Sequence, residues 1–150
     1  MFQQDYILRQ INQMAQVLAS ILSRLIISRD EQQWVNGIEQ TDQALKEHIG
    51  LTYSELLDIP DDTFIDTLQS VHSIDRDSLE RIADILLLIG DENSKNQPMD
   101  DEKRVLYNKC LLIYEHINGT GKLYSLDARY KIDRIHEVLS RDSMRMRDSK

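Results

Sequence analysis

The apolar positions at the start of the chain repeat at alternating steps of four and three residues, the spacing of a helix that packs along one face. The repeat predicts a first helix over about residues 4–29. Its apolar face, which we call the N-terminal seam, consists of Ile7, Ile11, Met14, Leu18, Ile21 and Leu25. Leaving this face in water would cost about 1.5–3 kcal/mol for each side chain. The seam must therefore be covered, either by the rest of the chain or by a partner.

The sequence leaves two interpretations of the N-terminal seam open. The domain can bury the seam entirely, or part of the seam can form the interface of a homo-oligomer. The other side of the helix carries Asn12, Gln13, Gln16 and Ser20, which tolerate cover better than charged residues do. We therefore treat the six seam residues as a candidate interface.

A second helix is predicted from residue 30 or 31 to residue 48, with one apolar face and with Gly50 as its stop. Gly37 lies inside this helix and lowers the stability of the helix by about 1 kcal/mol relative to alanine. We expect either a close helix contact or a weak point there. Residues 51–58 are expected to form a short helical turn.

Two helical hairpins are predicted next, over residues 60–90 and 101–139. The helix after Pro60 is expected to bury Phe64, Ile65, Leu68 and Val71. The following helix has the pattern of a capping box at Asp77 and Glu80, and Gly90 is its expected stop. Because residues 85–89 are apolar on nearly every side, this helix should be central.

The second hairpin follows a loop over residues 91–100. Its first helix is predicted to end at residue 118, and Ser125 is predicted to cap its second helix. The expected inner faces are Val105, Leu106, Cys110, Ile113, Tyr114 and Ile117, then Leu126, Tyr130, Ile132, Ile135, Val138 and Leu139. The chain is thus predicted to be one all-α domain, residues 1–150, of about six main helices with a frayed tail over about 141–150.

Composition and charge narrow the class of protein. With 41% apolar residues, 29% charged residues, five Gly and two Pro, the chain is neither disordered nor collagen-like nor disulfide-rich. Residues 1–90 hold 15 acidic and 6 basic residues, whereas residues 91–150 hold 11 and 12. An acidic chain is not expected to bind nucleic acid, since that binding depends on Lys and Arg.

Three features of the sequence bear on cellular location and membrane binding. The single Cys110 allows no intramolecular disulfide, and its apolar neighbours predict a buried, inert thiol. The N-terminus carries Asp5 and lacks the positive start of a secretory signal. The first helix also lacks the basic polar face that favours anionic lipid. We expect a cytoplasmic protein that does not bind membranes.

The chain resembles an uncharacterised bacterial family of small helical proteins. The resemblance rests on three stretches that span most of the chain, FQQDYILRQINQMAQVLASIL, LTYSELLDIPDDTFIDTL and LIYEHINGTGKLYSLDARYKIDRI. It implies an all-helical, tetratricopeptide-like fold with no established activity, so it assigns no catalytic residue. The likeness to tetratricopeptide repeats concerns hairpin stacking only, because bulky Leu111 and Tyr114 replace the small residues of that repeat.

Histidines and acidic residues offer no strong metal site. His48, His72, His116 and His136 lie on four predicted elements without metal-ligand spacing. Residues 91–102 imitate a calcium loop through Asp91, Asn93 and Glu102, but Lys95 occupies a ligand position and Asn96 replaces the required glycine. Helix capping and solvent exposure explain the remaining acidic cluster, Asp58, Asp61, Asp62 and Asp66. No metal is predicted.

Motifs for catalysis or cofactor binding are also weak. Residues 119–122 resemble part of a phosphate loop, but Leu123 follows Lys122 where Ser or Thr is required. No nucleophile motif accompanies it. We therefore predict no catalytic residue and no cofactor.

The sequence favours a non-catalytic protein-binding or scaffold domain that self-associates through the first helix. A second hypothesis is a groove for a partner peptide, motivated by Trp34, Tyr53, Tyr107 and Tyr124 near the ends of elements. The alternative is an enzyme with an unrecognised carboxylate or histidine pocket. The expected partner is a protein or a second copy of the chain, and neither nucleic acid nor a membrane.

Overall fold

A computed structural model describes residues 2–95, 97–120 and 126–148, with the side chains of 13–30, 32–95, 97–119 and 126–142. Within these residues the chain forms seven helices and no strand, so the predicted all-α class is confirmed. The helices are α1 Phe2–Ile27, α2 Glu31–Ile49, α3 Tyr53–Asp58, α4 in the three segments Asp61–Thr63, Phe64–Asp66 and Thr67–Val71, α5 Arg76–Asn93, α6 Asp101–Thr120 and α7 Leu126–Asp148.

Helix α5 is central, as its apolar run predicts. It packs against α1 on one side and α6 on another. Helix α2 covers α1, α7 covers α6, and the short helices α3 and α4 also pack on α6. Residues 82–87 and 89–90 of α5 are all buried, which is the burial expected of a helix surrounded by neighbours.

Both glycines of the second helix have the roles that the sequence suggests. Gly50 ends α2 in the left-handed conformation at φ 81°, and its N–H donates to Lys46 O at 3.1 Å. Gly37 lies where α2 crosses the end of α1. A methyl group there would lie 2.2 Å from Ser28 Oγ, so the missing side chain allows the close contact.

Helix α3 begins with a capping box that the sequence analysis did not identify. Glu55 N–H donates to Thr52 Oγ1 at 3.1 Å, and Thr52 N–H donates to Glu55 Oε1 at the same distance. The Glu55 carboxylate also accepts from Lys46 Nζ at 2.9 Å. Its hydrogen bonds with Lys46 and Thr52 hold the pKa of Glu55 below its ordinary value.

The helix predicted after Pro60 is short and irregular, and the predicted hairpin over residues 60–90 does not form. A 3₁₀ turn passes through one α turn into a π turn, in which His72 N–H donates to Thr67 O at 3.3 Å. Phe64 and Leu68 are buried, and the segment of Phe64 packs on α6, whereas Val71 is 72% exposed, so its predicted burial is wrong. Ser73 then turns the chain with a left-handed φ of 55°.

Helix α5 begins and ends differently from the prediction. Asp75 occupies the position before its first residue without a side-chain cap, so the predicted capping box at Asp77 and Glu80 is wrong. The helix continues past Gly90 to Asn93, which shortens the predicted loop. Gly90 marks a helix crossing, because a methyl group there would lie 2.4 Å from Leu106 Cδ2.

The inner faces of α6 and α7 are partly as predicted. Val105 is exposed, and Leu126 and Tyr130 are 78% and 68% exposed, so these three expectations are wrong. The buried stripe of α7 starts instead at Ala128 and continues through Ile132 and Ile135.

The ends of the last two helices extend beyond their predicted bounds. Helix α6 runs through Gly119 to Thr120. Helix α7 runs through most of the predicted tail to Asp148. The predicted cap Ser125 and the last two residues of the chain lie outside the described residues.

Candidate functional site: the surface of helix α1

The N-terminal seam is divided by the fold. Leu18, Ile21 and Leu25 are buried in the core, where the chain itself covers them. Met14 is partly buried against the same core. The side chains of Ile7 and Ile11 lie outside the described residues. Three of the six candidate interface residues, Leu18, Ile21 and Leu25, are therefore covered by the core of the same copy of the chain.

A second apolar stripe runs beside the seam on α1. It consists of Ala15, Ala19, Leu22 and Ile26, which again follow steps of four, three and four residues. The first three are half-buried, and Ile26 is 41% exposed. We call this set the second stripe. It has no charged residue, and it lies at the edge of the core, against which Leu22 is partly packed.

The second stripe borders an open groove of about 360 Å³, which we call the α1–α7 groove. Its floor is α5, and α1 and α7 each contribute a wall. The lining residues are Leu22, Ile26, Arg81, Asp84, Leu87, Leu88, Asp91 and Lys131. The α1 side of the groove is thus apolar, while the α7 side is charged.

The charged side of the groove is a fixed network around Asp84. This buried carboxylate accepts hydrogen bonds from Tyr114 Oη at 2.6 Å, Lys131 Nζ at 2.8 Å and Arg81 Nη1 at 2.9 Å. Burial raises the pKa of the Tyr114 phenol, and the negative charge of Asp84 raises it further. The phenol therefore stays protonated and donates permanently. Three donors from three helices hold the Asp84 carboxylate in place, which is the arrangement of a structural group.

The same arrangement recurs one heptad further along α5. Asp91 accepts from Tyr107 Oη at 3.0 Å and from the Arg134 guanidinium. Burial raises the pKa of Tyr107 to about 12. Because Asp84 and Asp91 are seven residues apart, they face the same side of α5. The two pairs bind α5, α6 and α7 together in one register.

Helix α1 is longer than the helix that it packs against. Both α1 and α5 end near the contact of Arg29 Nη1 with Glu92 Oε1 at 4.0 Å, so they run in the same direction. Counting back from this contact, the start of α5 at Arg76 lies opposite about residue 13 of α1. The segment of α1 from Phe2 onward therefore reaches roughly 15 Å beyond α5 at 1.5 Å per residue.

Two of the four predicted groove aromatics meet in a separate cleft of about 350 Å³ between α2, α3, α5 and α6. Trp34 Nε1 donates to Asn93 Oδ1 at 2.9 Å there, and Tyr53 lines the same space. Tyr107 is buried in the core, and Tyr124 lies outside the described residues.

The histidines and the cysteine stay apart. His48, His72, His116 and His136 lie on four separate segments, and no group of three metal-ligating residues forms among the described residues. Cys110 is buried as predicted, with Sγ 3.6 Å from Ala83 O, and burial raises the pKa of its thiol. This environment suppresses thiol reactivity.

The weak sequence motifs also separate. Asp91 and Asn93 belong to α5 rather than to a calcium loop. Of the acidic cluster, Asp61 pairs with Lys109 at 2.5 Å, and Asp66 accepts from Ser70 Oγ at 3.1 Å. Of the residues that resemble part of a phosphate loop, Gly119 lies within α6, and Lys122 lies outside the described residues.

Comparison of the chain with protein-family models, with curated proteins and with solved structures finds no match. The family resemblance therefore stays a prediction from the sequence. Across the described residues, every helix is too short or too polar to span a bilayer.

Proposed function

We propose that the protein is a non-catalytic protein-binding domain that self-associates through α1, and that it works in the cytoplasm. The observation that carries the proposal is the second stripe. Its four uncharged residues have heptad spacing, two of them, Leu22 and Ile26, line an open groove, and Ile26 is 41% exposed. Heptad spacing is the pattern with which one helix packs along another.

Charge supports a second copy of the chain as the partner. Two copies of a chain with a net charge of −8 repel each other over most of their surfaces. Among residues 13–27, Arg24 is the sole charged residue. Helix α1 is thus a surface on which two copies meet without like-charge repulsion.

The length of α1 supports the same partner. A stable interface buries about 800 Å² on each side, which is more than four side chains supply. The part of α1 that extends beyond α5 adds the missing length. In a two-fold symmetric dimer, the part of α1 that extends beyond α5 in each copy packs along the second stripe of the other copy. Both contacts are therefore made twice.

The location of the interface can be tested by one matched pair of variants. Ile26→Glu places a charge in the second stripe, whereas Val35→Glu places the same charge on an exposed valine of α2 outside the α1–α7 groove. Light scattering at micromolar concentration is expected to show a dimer for the wild type and for Val35→Glu, and a monomer for Ile26→Glu. Circular dichroism checks that each variant is folded.

Either of two results would overturn the proposal: a wild-type monomer, or a dimer that survives Ile26→Glu. The seam residue Leu18 is unsuitable for this test. Because Leu18 is fully buried, a glutamate there would unfold the monomer before it affected association.

A further inference from the structure

A second surface, away from the α1–α7 groove, crosses α3 and the start of α6. Here the cleft of about 350 Å³ adjoins a second concavity of about 370 Å³, and Glu102 lines both. We call the combined surface the α3–α6 groove. Its lining includes Trp34, Tyr53, Leu57, Asp58, Glu102 and Val105.

The lining of this groove carries a net negative charge, with four carboxylates against two lysines. Asp58 and Glu102 are exposed carboxylates, and neither makes an ion pair with any residue that the structure describes. Of the two lysines in the lining, Lys95 Nζ lies 2.9 Å from Glu92 Oε1, and Lys103 is buried with its Nζ donating to Pro98 O at 3.1 Å. The net charge of the groove thus suits a cation.

The groove also offers apolar and aromatic surface beside those carboxylates. Val105 is 38% exposed although the helical pattern predicts its burial, and half-buried Leu57 lies in the same concavity. Trp34 and Tyr53 are half-buried on the other side of Glu102. Aromatic rings attract Lys and Arg side chains that lie over their faces.

We propose that the α3–α6 groove binds a basic peptide segment of a partner protein. Lys or Arg side chains lie against Glu102 and Asp58, and an apolar side chain fills the space between Leu57 and Val105. The inference rests on the proposal that the chain is a protein-binding domain, but it does not depend on self-association through α1.

A charge-matched pair of double variants tests this site. The probe is a short amidated peptide of lysine and leucine, titrated calorimetrically at physiological salt. The double variant Asp58→Asn with Glu102→Gln removes the free charges of the groove. The control, Asp133→Asn with Glu137→Gln, removes two exposed acidic residues of α7. We expect about a tenfold rise in Kd for the groove variant and less than about a twofold rise for the control.

Equal weakening by the two double variants would overturn the inference, because it would mean that the peptide responds only to net charge. Trp34, the single tryptophan, gives a second readout. Its emission is expected to change as the peptide saturates the wild type, and unchanged emission would contradict binding in this groove. The light-scattering mass of the groove variant tests self-association separately, so each proposal can fail alone.

Discussion

At the scale of single residues, glycine and tyrosine decide how the helices meet. Gly90 lets α5 approach α6, and Tyr107 and Tyr114 of α6 donate to carboxylates of α5. The sequence patterns suggested other roles for these residues. A glycine after an apolar run resembles a helix stop, and a tyrosine on an apolar face resembles ordinary core.

Gly90→Ala is expected to destabilise the protein by about 1–3 kcal/mol, even though alanine favours helix. The added methyl group would lie 2.4 Å from Leu106 Cδ2 and 3.3 Å from Tyr107 Cζ. The control is Gly119→Ala in α6, where a methyl group meets nothing within 4 Å. Urea unfolding measures both variants, and equal stabilities would contradict the close crossing.

The stability of the fold is expected to fall as the pH rises from about 10 to about 12. Burial raises the pKa of Tyr107 from 10.0 to about 12, so between these values the folded chain keeps a proton that the unfolded chain has lost. The stabilisation that comes from the protonated Tyr107 phenol is complete below pH 10 and disappears as the pH rises through the pKa of Tyr107 in the folded chain. Urea unfolding at a series of pH values measures it. Tyr107→Phe should reduce the slope, and an unchanged slope would refute this assignment.

At the scale of elements, the pattern of large apolar residues predicts the buried face of α1 correctly, but it misplaces part of the buried faces of α4, α6 and α7. The four-three spacing of α1 places Leu18, Ile21 and Leu25 in the core, as the structure shows. In α7 the buried stripe begins at Ala128, whose methyl group gives little hydrophobic signal beside Leu126 and Tyr130. The sequence prediction therefore began that face at the wrong residues.

The irregular helix α4 could not be predicted from local pattern, because a distant lysine holds it. Lys109 of α6 is nearly fully buried. Its Nζ donates to Ile59 O and to Asp61 Oδ1 and lies 4.8 Å from the centre of the Phe64 ring. These contacts fasten the start of α4 to α6, across almost fifty residues of sequence.

Lys109→Ala is expected to lower the free energy of unfolding by about 2 kcal/mol, the usual contribution of hydrogen bonds to a charged group. The carbonyl of Ile59 would lose its donor, and the Phe64 ring would lose its neighbour. Asp61→Asn should cost less, since that carboxylate is largely exposed. Chemical denaturation compares the two variants. If Lys109→Ala left the stability unchanged, α4 would be held by its apolar residues alone.

The α1–α7 groove likewise depends on placement that the sequence does not contain. The uncharged stripe through Ala15 and Leu22 is visible in the sequence. Its exposure depends on α1 packing on α5 while α7 packs on α6, and Lys131 and Arg134 tie α7 to Asp84 and Asp91 of α5. The α3–α6 groove arises in the same way, because Trp34 and Glu102 meet only in the folded chain.

At the scale of the whole molecule, the acidic charge is concentrated in residues 28–90, which hold 14 acidic and 4 basic residues, whereas α1 holds one acidic and two basic residues. The net charge of −8 keeps most of the chain's surface from associating with further copies. Helix α1 contributes Leu18, Ile21 and Leu25 to the core and still presents Leu22 and Ile26 of the second stripe to the groove. This division of one helix between core and surface is the basis of the proposed self-association.

Sedimentation equilibrium of the unmodified chain over a wide concentration series tests the central claim most directly. The account predicts a mass near 17.6 kDa at high dilution that rises toward twice this value at micromolar concentration. A mass that stays at 17.6 kDa throughout the series would contradict self-association through α1.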